Sequence, residues 1–325
     1  MKNINKILIL GMAFLAFSCS DESTNTTANS NNSTNKTITT SAIVAANPKK
    51  FLFDATKAET AGNADWVLDA DTSPQRLPTP LQSTITATTL ETYWRGGLSS
   101  WGIALAKLGH TVETLPSGSA ITYGGTGAQD LKNYNVFVID EPNIKFTTAE
   151  KTALVNFVKN GGGLFMISDH TVSDRNNDGW DSPAIWNDLM TTNSVQANPF
   201  GISVTLNNIS ETTTNRLSAT TNPILNGSQG VVTQLKYSNG ATMTINTTAN
   251  ATAQGLIWRG TSTQGTSNIM CASATYGTGR VVMIGDSSPA DDGTGATGDT
   301  LYPGWTELAS HSRLHMNASL WLAKL

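Results

Sequence analysis

Cysteine is almost missing from this chain: 325 residues hold two, Cys19 and Cys271. The body of the chain keeps only Cys271, so an internal disulfide is excluded and an apolar core must hold the fold. Its setting, Ile269-Met270-Cys271-Ala272, reads as a buried strand. Charge is also sparse, at 14% Asp, Glu, Lys and Arg with a net charge of −4. No basic cluster is present to follow a phosphate backbone, which argues against nucleic acid as a partner. Histidine is limited to four residues, so each candidate ligand or acid/base group can be weighed singly. Long hydrophobic runs are missing as well. The one apolar stretch at the N-terminus, Ile7 to Phe17, is too short to span a bilayer as a permanent helix.

That stretch follows Lys2 and Lys6 and ends at Leu15-Ala16-Phe17-Ser18-Cys19, the order of a secretory signal. The end resembles a lipobox, with residues 1–18 as signal peptide and Cys19 as the lipidated first residue of the mature protein. Ser20-Asp21-Glu22 resembles the acidic export tag of surface lipoproteins of the Bacteroidetes type. The expected location is the outer membrane, lipid-anchored and facing outward. An ordinary secretory signal with an incidental cysteine is the alternative. Residues 19–47 are Ser, Thr, Asn and Ala almost throughout, a composition too polar to offset its ordering entropy, and read as a disordered tether.

The remainder, residues 48–325, is expected to form a single α/β domain. Lys50 to Asp54 reads as a short buried strand. Apolar residues at helical spacing run from about Leu90 to Leu108, with Gly109 as the stop. Thr111 to Leu115 and Val136 to Ile139 are further strands. Thr147 and Glu150 form a capping box that opens a helix ending at Gly161. The strand Leu164 to Ser168 follows at once, so 136–139 and 164–168 should lie parallel in a βαβ unit. Their unbroken hydrophobicity is that of strands covered on both faces. Residues 201–265 are rich in Thr, Asn and Ser, with alternation at Thr242 to Ile245, and read as antiparallel strands or a small β-rich insertion, or else as long surface loops. Ile269 to Ala274 and Arg280 to Ile284 form a hairpin, and Trp305 to Leu322 a closing helix.

The order Val158-Lys159-Asn160-Gly161-Gly162-Gly163-Leu164, Gly279-Arg280-Val281, then Ala318-Ser319-Leu320-Trp321-Leu322 resembles the ThuA-like branch of the class I glutamine amidotransferase-like superfamily. The match covers roughly 130–170 and 278–323 and its motifs are short and structural. The resemblance implies a flavodoxin-like α/β fold, a mostly parallel sheet with helices on both faces, and by association sugar metabolism. The chain departs where the amidotransferase nucleophile cysteine should stand, holding Ser168-Asp169-His170 instead. No Cys-His-Glu triad can be assembled. His170 is the counterpart of the histidine that ThuA-like members carry after this strand, and Gly285-Asp286 replaces their later glycine-histidine.

In a doubly wound sheet the C-terminal strand ends converge on one edge, where ligands bind. This chain sets Asp54, Asp140-Glu141, Asp169-His170 and Asp286 at four such ends. Crowded carboxylates need a cation, an arginine partner or shared protons, and a divalent metal, calcium or zinc, is the economical choice. Asp54, Asp140, Asp169, His170, Asp286 and His311 are its candidate ligands. Asp54, Asp169, His170 and Asp286 are the candidate catalytic groups. His311 and His315 are spaced i, i+4 without an intervening Glu; the alternative has one packed on the sheet and one at the surface. His110 is structural. Asp174, Asn176, Asp178 and Asp181 match half of a calcium loop, or else a loop of Asx turns. Trp94, Arg95 and Glu141 are candidate substrate contacts, Trp94 alternatively being core. Glu59, Asn63 and Asp65 are available to fill remaining positions. Ser287 is conceivable as a nucleophile but lacks a G-x-S-x-G elbow. The expected function is a cell-surface, metal-dependent hydrolase of a glycan or glycan-derived substrate. The alternatives are a non-catalytic saccharide- or cation-binding lipoprotein and a structural surface protein.

Overall fold

Five short apolar segments built alike, each with large side chains on both faces, dictate a sheet that must be covered on both sides. The computed structural model describes residues 46–71 and 73–325, so the signal peptide, Cys19 and nearly all of the tether lie outside the described residues. In chain order the strands are β1 Lys50–Asp54, β2 Thr111–Leu115, β3 Val136–Asp140, β4 Gly163–Ile167, β5 Ile202–Val204, β6 Ile209–Thr213 and β7 Asn226–Gly227. They continue as β8 Gly230–Val231, β9 Leu235–Gly240, β10 Met243–Ile245, β11 Gln254–Trp258, β12 Ile269–Tyr276 and β13 Gly279–Ile284. The helices are α1 Ser99–Lys107, α2 Thr148–Lys159, α3 Ser182–Thr192, α4 Gly304–Glu307 and α5 Ala309–Leu322.

The main sheet runs β2-β1-β3-β4-β13-β12-β10-β5. Its first five strands are mutually parallel. With β13 as the fifth strand this is the 2-1-3-4-5 order of flavodoxin-like folds, as expected. Alternate strand residues enter two separate cores. Phe51, Phe53, Val136, Val138, Phe165, Ile167, Val282 and Ile284 pack with α1 and α5 residues on one face. Leu52, Phe137, Ile139, Leu164, Met166, Val281 and Met283 pack with α2 and α3 residues on the other. This two-residue period fixes which way each strand-end side chain leaves the sheet.

Local expectations hold with two differences. The capping box closes α2 as expected, Thr147 Oγ1 accepting from Glu150 N and Glu150 returning the bond to Thr147 N. The β12–β13 hairpin turns at Gly277, whose φ of +58° favours glycine. Helix α1 starts only at Ser99, however, rather than near Leu90. Gly96 and Gly97 lie against the 65–69 segment so closely that a Cβ on Gly96 would sit 2.2 Å from the Val67 carbonyl oxygen, and the chain cannot be helical there. The stretch expected as an insertion does not stand apart either. Its β5, β10 and β11 extend the main sheet antiparallel beyond β12, while β6–β9 and β7–β8 form two small sheets of their own.

Candidate active site at the carboxyl edge of the sheet

Parallel pairing of β1, β3, β4 and β13 brings the four acidic ends to one edge, as the strand pattern implies. Only three of them meet. Asp140 is level with Ile167 of β4, which is level with Ile284 of β13, and Asp169 and Asp286 lie two residues beyond those positions. All three acids are therefore in phase with the α1/α5 core. Asp54 is two residues past Leu52 and so belongs to the opposite, α2 face. There it accepts from Thr56 N at 3.1 Å and has Lys57 and Glu59 as its charged neighbours. Lys57 in turn pairs with Glu150 of α2 at 2.7 Å. Asp54 is thus removed from the expected catalytic and metal sets by strand phase alone.

The acids that do meet are nearly free of solvent: Asp140, Glu141, Asp169 and Asp286 are all 3% exposed or less. Burial, then the charges of Glu141, Asp169 and Asp286, pushes the Asp140 carboxyl well above the ordinary range. Both of its oxygens lack a hydrogen-bond partner, so no donor offsets that rise by stabilising the charged form. Burial and the Asp169 charge raise Glu141 to about 8, against the lowering effect of Arg175. Burial raises Asp286 to about 7 although the amides of Ser288 and Ser238 donate to it. Shared protons thus relieve part of the crowding.

An arginine relieves more of it. Arg175, from the loop after β4, donates through Nε and Nη2 to Glu141 and through Nη2 to Asp169 at 3.3 Å. Its Nη1 donates to Asn63 Oδ1 at 2.9 Å, and the guanidinium lies 5.8 Å from the Trp66 ring centre. Ser287 Oγ donates to Glu141 at 2.9 Å. Glu141 itself adopts φ +43°, a left-handed conformation that a residue with a Cβ holds only where its surroundings over-determine it. Glu141, expected as a substrate contact, is fully buried and clamped by Arg175 and Ser287, so it faces inward rather than toward solvent.

His170 is the exposed member of the site, its side chain 22% accessible against 4% for Asp169. Its Nδ1 is 3.1 Å from Asp169 Oδ1, which leaves Nε2 pointing away from that partner. The bond to Asp169 outweighs desolvation and raises the imidazole above its ordinary value. A buried carboxylate that orients and charges a half-exposed imidazole is an arrangement for moving a proton to or from a bound molecule.

Several expected residues are placed elsewhere. Among the described residues no three His, Cys, Asp or Glu side chains are grouped so as to hold a metal ion. The orphaned oxygens of Asp140 would suit a metal, but the donors beside them are already taken by Arg175, Ser287 and backbone amides. His311 uses both ring nitrogens: Nδ1–H donates to the Gly304 carbonyl at 2.7 Å, and Nε2 accepts from Lys236 N at 3.0 Å. It is neutral and closed as a ligand. His315 is not at the surface but fully buried, stacked on Phe165 and edge-on to Trp101, and burial lowers it to about 3. His110 is structural as expected, accepting from Lys49 N.

In the 174–181 loop the carboxylates turn onto the loop itself. Asp174 accepts from the amides of Asp178 and Gly179, Asn176 from Asp178, and Asp178 from Trp180. Asp181 caps α3 through Ala184 N and also accepts from Val172 N. This is the loop of Asx turns, and its product is the position of Arg175. Trp94 is core: it is fully buried and its Nε1 donates to the Pro80 carbonyl. Arg95 is exposed, pairing with Asp71 at 3.7 Å and reaching the Gly295 carbonyl, outside the acid group.

Of the three first-loop residues, Asn63 joins the site through Arg175. Asp65 is buried beside Asp299 and Asp291, and burial with those charges raises it to about 8. Arg175, Asp291 and Tyr302 have no strand-end signal in the sequence. Arg175 was nevertheless findable as the one arginine or lysine within the polar run after β4.

No family model matches the chain, and no curated protein does. Solved structures show likeness at low identity. The mmIFT52 N-terminal domain superposes with a TM-score of 0.52 at 15% identity, covering 84% of this chain and 97% of its own. A cytoplasmic protein from Salmonella typhimurium gives 0.45 at 14% identity over 84% of this chain and 98% of its own. A putative ThuA-like protein from Parabacteroides merdae gives 0.36 at 11% identity over 85% and 90%. The first of these likenesses is one of fold, in agreement with the strand order. Activity must be argued from the site.

Proposed function

We propose that the carboxyl edge is the active site of a hydrolase acting on a glycan or glycan-derived substrate. The observation that carries this reading is the Asp169–His170 pair: a buried carboxylate holding a half-exposed imidazole at 3.1 Å. His170 is the proton donor and acceptor toward substrate, through the Nε2 that its bond to Asp169 leaves outward. Asp169 orients the ring and stabilises its charged form. Arg175 holds Asp169 and Glu141 in place and supplies a fixed positive charge beside the reacting atoms. Asp140 and Asp286, protonated or shared with their neighbours, keep the site from accumulating negative charge. The glycan class is supported by the sequence resemblance to ThuA-like proteins. Metal dependence, expected from the sequence, enters only as an arm of the test, because no three His, Cys, Asp or Glu side chains among the described residues are grouped to hold an ion.

The proposed setting is the cell surface, with Cys19 lipidated and the membrane reached through that anchor. Turnover of a panel of glycosides and sugar esters by the wild-type chain, Asp169→Ala and His170→Ala, each with and without EDTA, tests the reading. Activity lost in both variants with melting temperature preserved is the expected result. Undiminished activity in either variant rules out the assignment. Sensitivity of the wild type to EDTA would restore the metal.

A further inference from the structure

Beside the acid group, on the far side of Asp286, lies a cleft of about 410 Å³ between the end of β9 and the 302–307 segment. It is continuous with the site through two residues. The amides of Ser238 and Ser288 that fix Asp286 belong to the cleft wall, and Ser288 Oγ donates to the Ser238 carbonyl at 3.2 Å. Tyr302 lines the cleft on one side and feels the charges of Arg175, Asp169, Asp286 and Asp291 on the other. Its half-buried ring therefore stands at the junction of cleft and acid group.

The lining defines a narrow class of ligand. Tyr302, Pro289 and Pro303 present apolar surface, while Ser238, Ser288 and Thr306 add short polar groups. The two charged side chains, Lys236 and Glu307, are paired with each other. His311, also in the wall, is neutral because both ring nitrogens are engaged. The cleft thus offers no unpaired cation to a carboxylate or phosphate, and no unpaired carboxylate to a cation. What remains is an apolar aromatic face next to serine and threonine hydroxyls, within the size range of small-molecule sites.

We propose that this cleft is a subsite for an uncharged pyranose ring, stacked on Tyr302 and hydrogen-bonded along Ser288, Lys236 and Glu307. A sugar seated there lies against Ser238 and Ser288, whose amides hold Asp286, with Tyr302 between it and the acid group. The inference rests on the acid edge being the active site, but binding is read without turnover.

Saturation-transfer NMR on the full chain, with neutral methyl pyranosides, glucuronate and inorganic phosphate as probes, tests it. Transfer to the ring protons of at least one neutral pyranoside is expected, with affinity roughly tenfold weaker in Tyr302→Ala. Tyr302→Phe, which keeps the ring, should bind as the wild type does and guards against misfolding of the alanine variant. Arg95→Ala, remote from the cleft, should leave binding unchanged. Bound sugar without turnover in the wild type removes the hydrolase reading and leaves the subsite. Binding of glucuronate or phosphate in place of neutral sugars, no binding of any probe, or equal affinity in Tyr302→Ala overturns the subsite.

Discussion

Replacing Arg175 with methionine keeps much of the side-chain volume and removes a cation that contacts both Glu141 and Asp169. The stability cost should depend strongly on pH. In the wild-type chain both carboxyls already sit above their ordinary values, Glu141 at about 8. Stability contributed by a raised group is complete below its unfolded value and declines as pH climbs through its folded value. Loss of Arg175 raises both carboxyls further, so the folded variant holds its protons to higher pH and loses stability more steeply there. At pH 6 Glu141, raised to about 8, is largely protonated, and its contact with Arg175 loses only hydrogen bonds and stem packing, about 1 kcal/mol. At pH 9 ionisation must occur beside no cation. The cost should approach the lower end of that for breaking a buried ion pair, about 3 kcal/mol, since the Arg175 side chain keeps 19% of its exposure. Urea unfolding of wild type and Arg175→Met at pH 6 and pH 9 measures the difference. A destabilisation equal at both pH values would refute the account of Arg175 as counter-charge and leave it as a packing residue.

Three further outcomes follow from the same geometry. If His170 acts as a general acid, kcat/KM should fall on the alkaline side as pH rises through its raised value, and His170→Gln should abolish that limb; an unchanged profile would assign the limb to another group. Asp181→Ala removes the α3 cap and the anchor of Val172 N, so a loss of about 1–2 kcal/mol in urea unfolding is expected, independent of EDTA; a melting temperature of the wild type that drops with EDTA would instead establish a bound cation. Gly285→Ala places a Cβ 1.8 Å from the Ala241 carbonyl oxygen, so the strand end bearing Asp286 must shift. That variant should yield little soluble protein or melt markedly lower, and near wild-type stability would mean that this edge is more pliable than its packing implies.

Much of the fold was legible because its determinants are local. Unbroken apolar runs, the Thr147 and Glu150 capping box and the Gly-Gly-Gly turn each act within a few residues, and together they specify a βαβ unit and a sheet covered on both faces. The alternating Thr-rich stretch could be read as antiparallel strands, as β10 is, but its joining the main sheet beyond β12 was not legible, because short Thr-rich strands are fixed by the neighbours they pair with. At the site, the acids at the ends of β3, β4 and β13 could be read from strand endings.

The sequence by itself determined that acidic side chains crowd the carboxyl edge of a parallel sheet, since each sits directly after its own apolar strand. Only the tertiary structure decided which of them meet and what neutralises them. Strand phase sends Asp54 to the opposite face. A polar loop turns its carboxylates onto its own amides and so projects Arg175 between Glu141 and Asp169, where a metal had been expected. Side-chain direction at a strand end can be counted along the chain, but the reach of a loop residue depends on contacts far away in sequence.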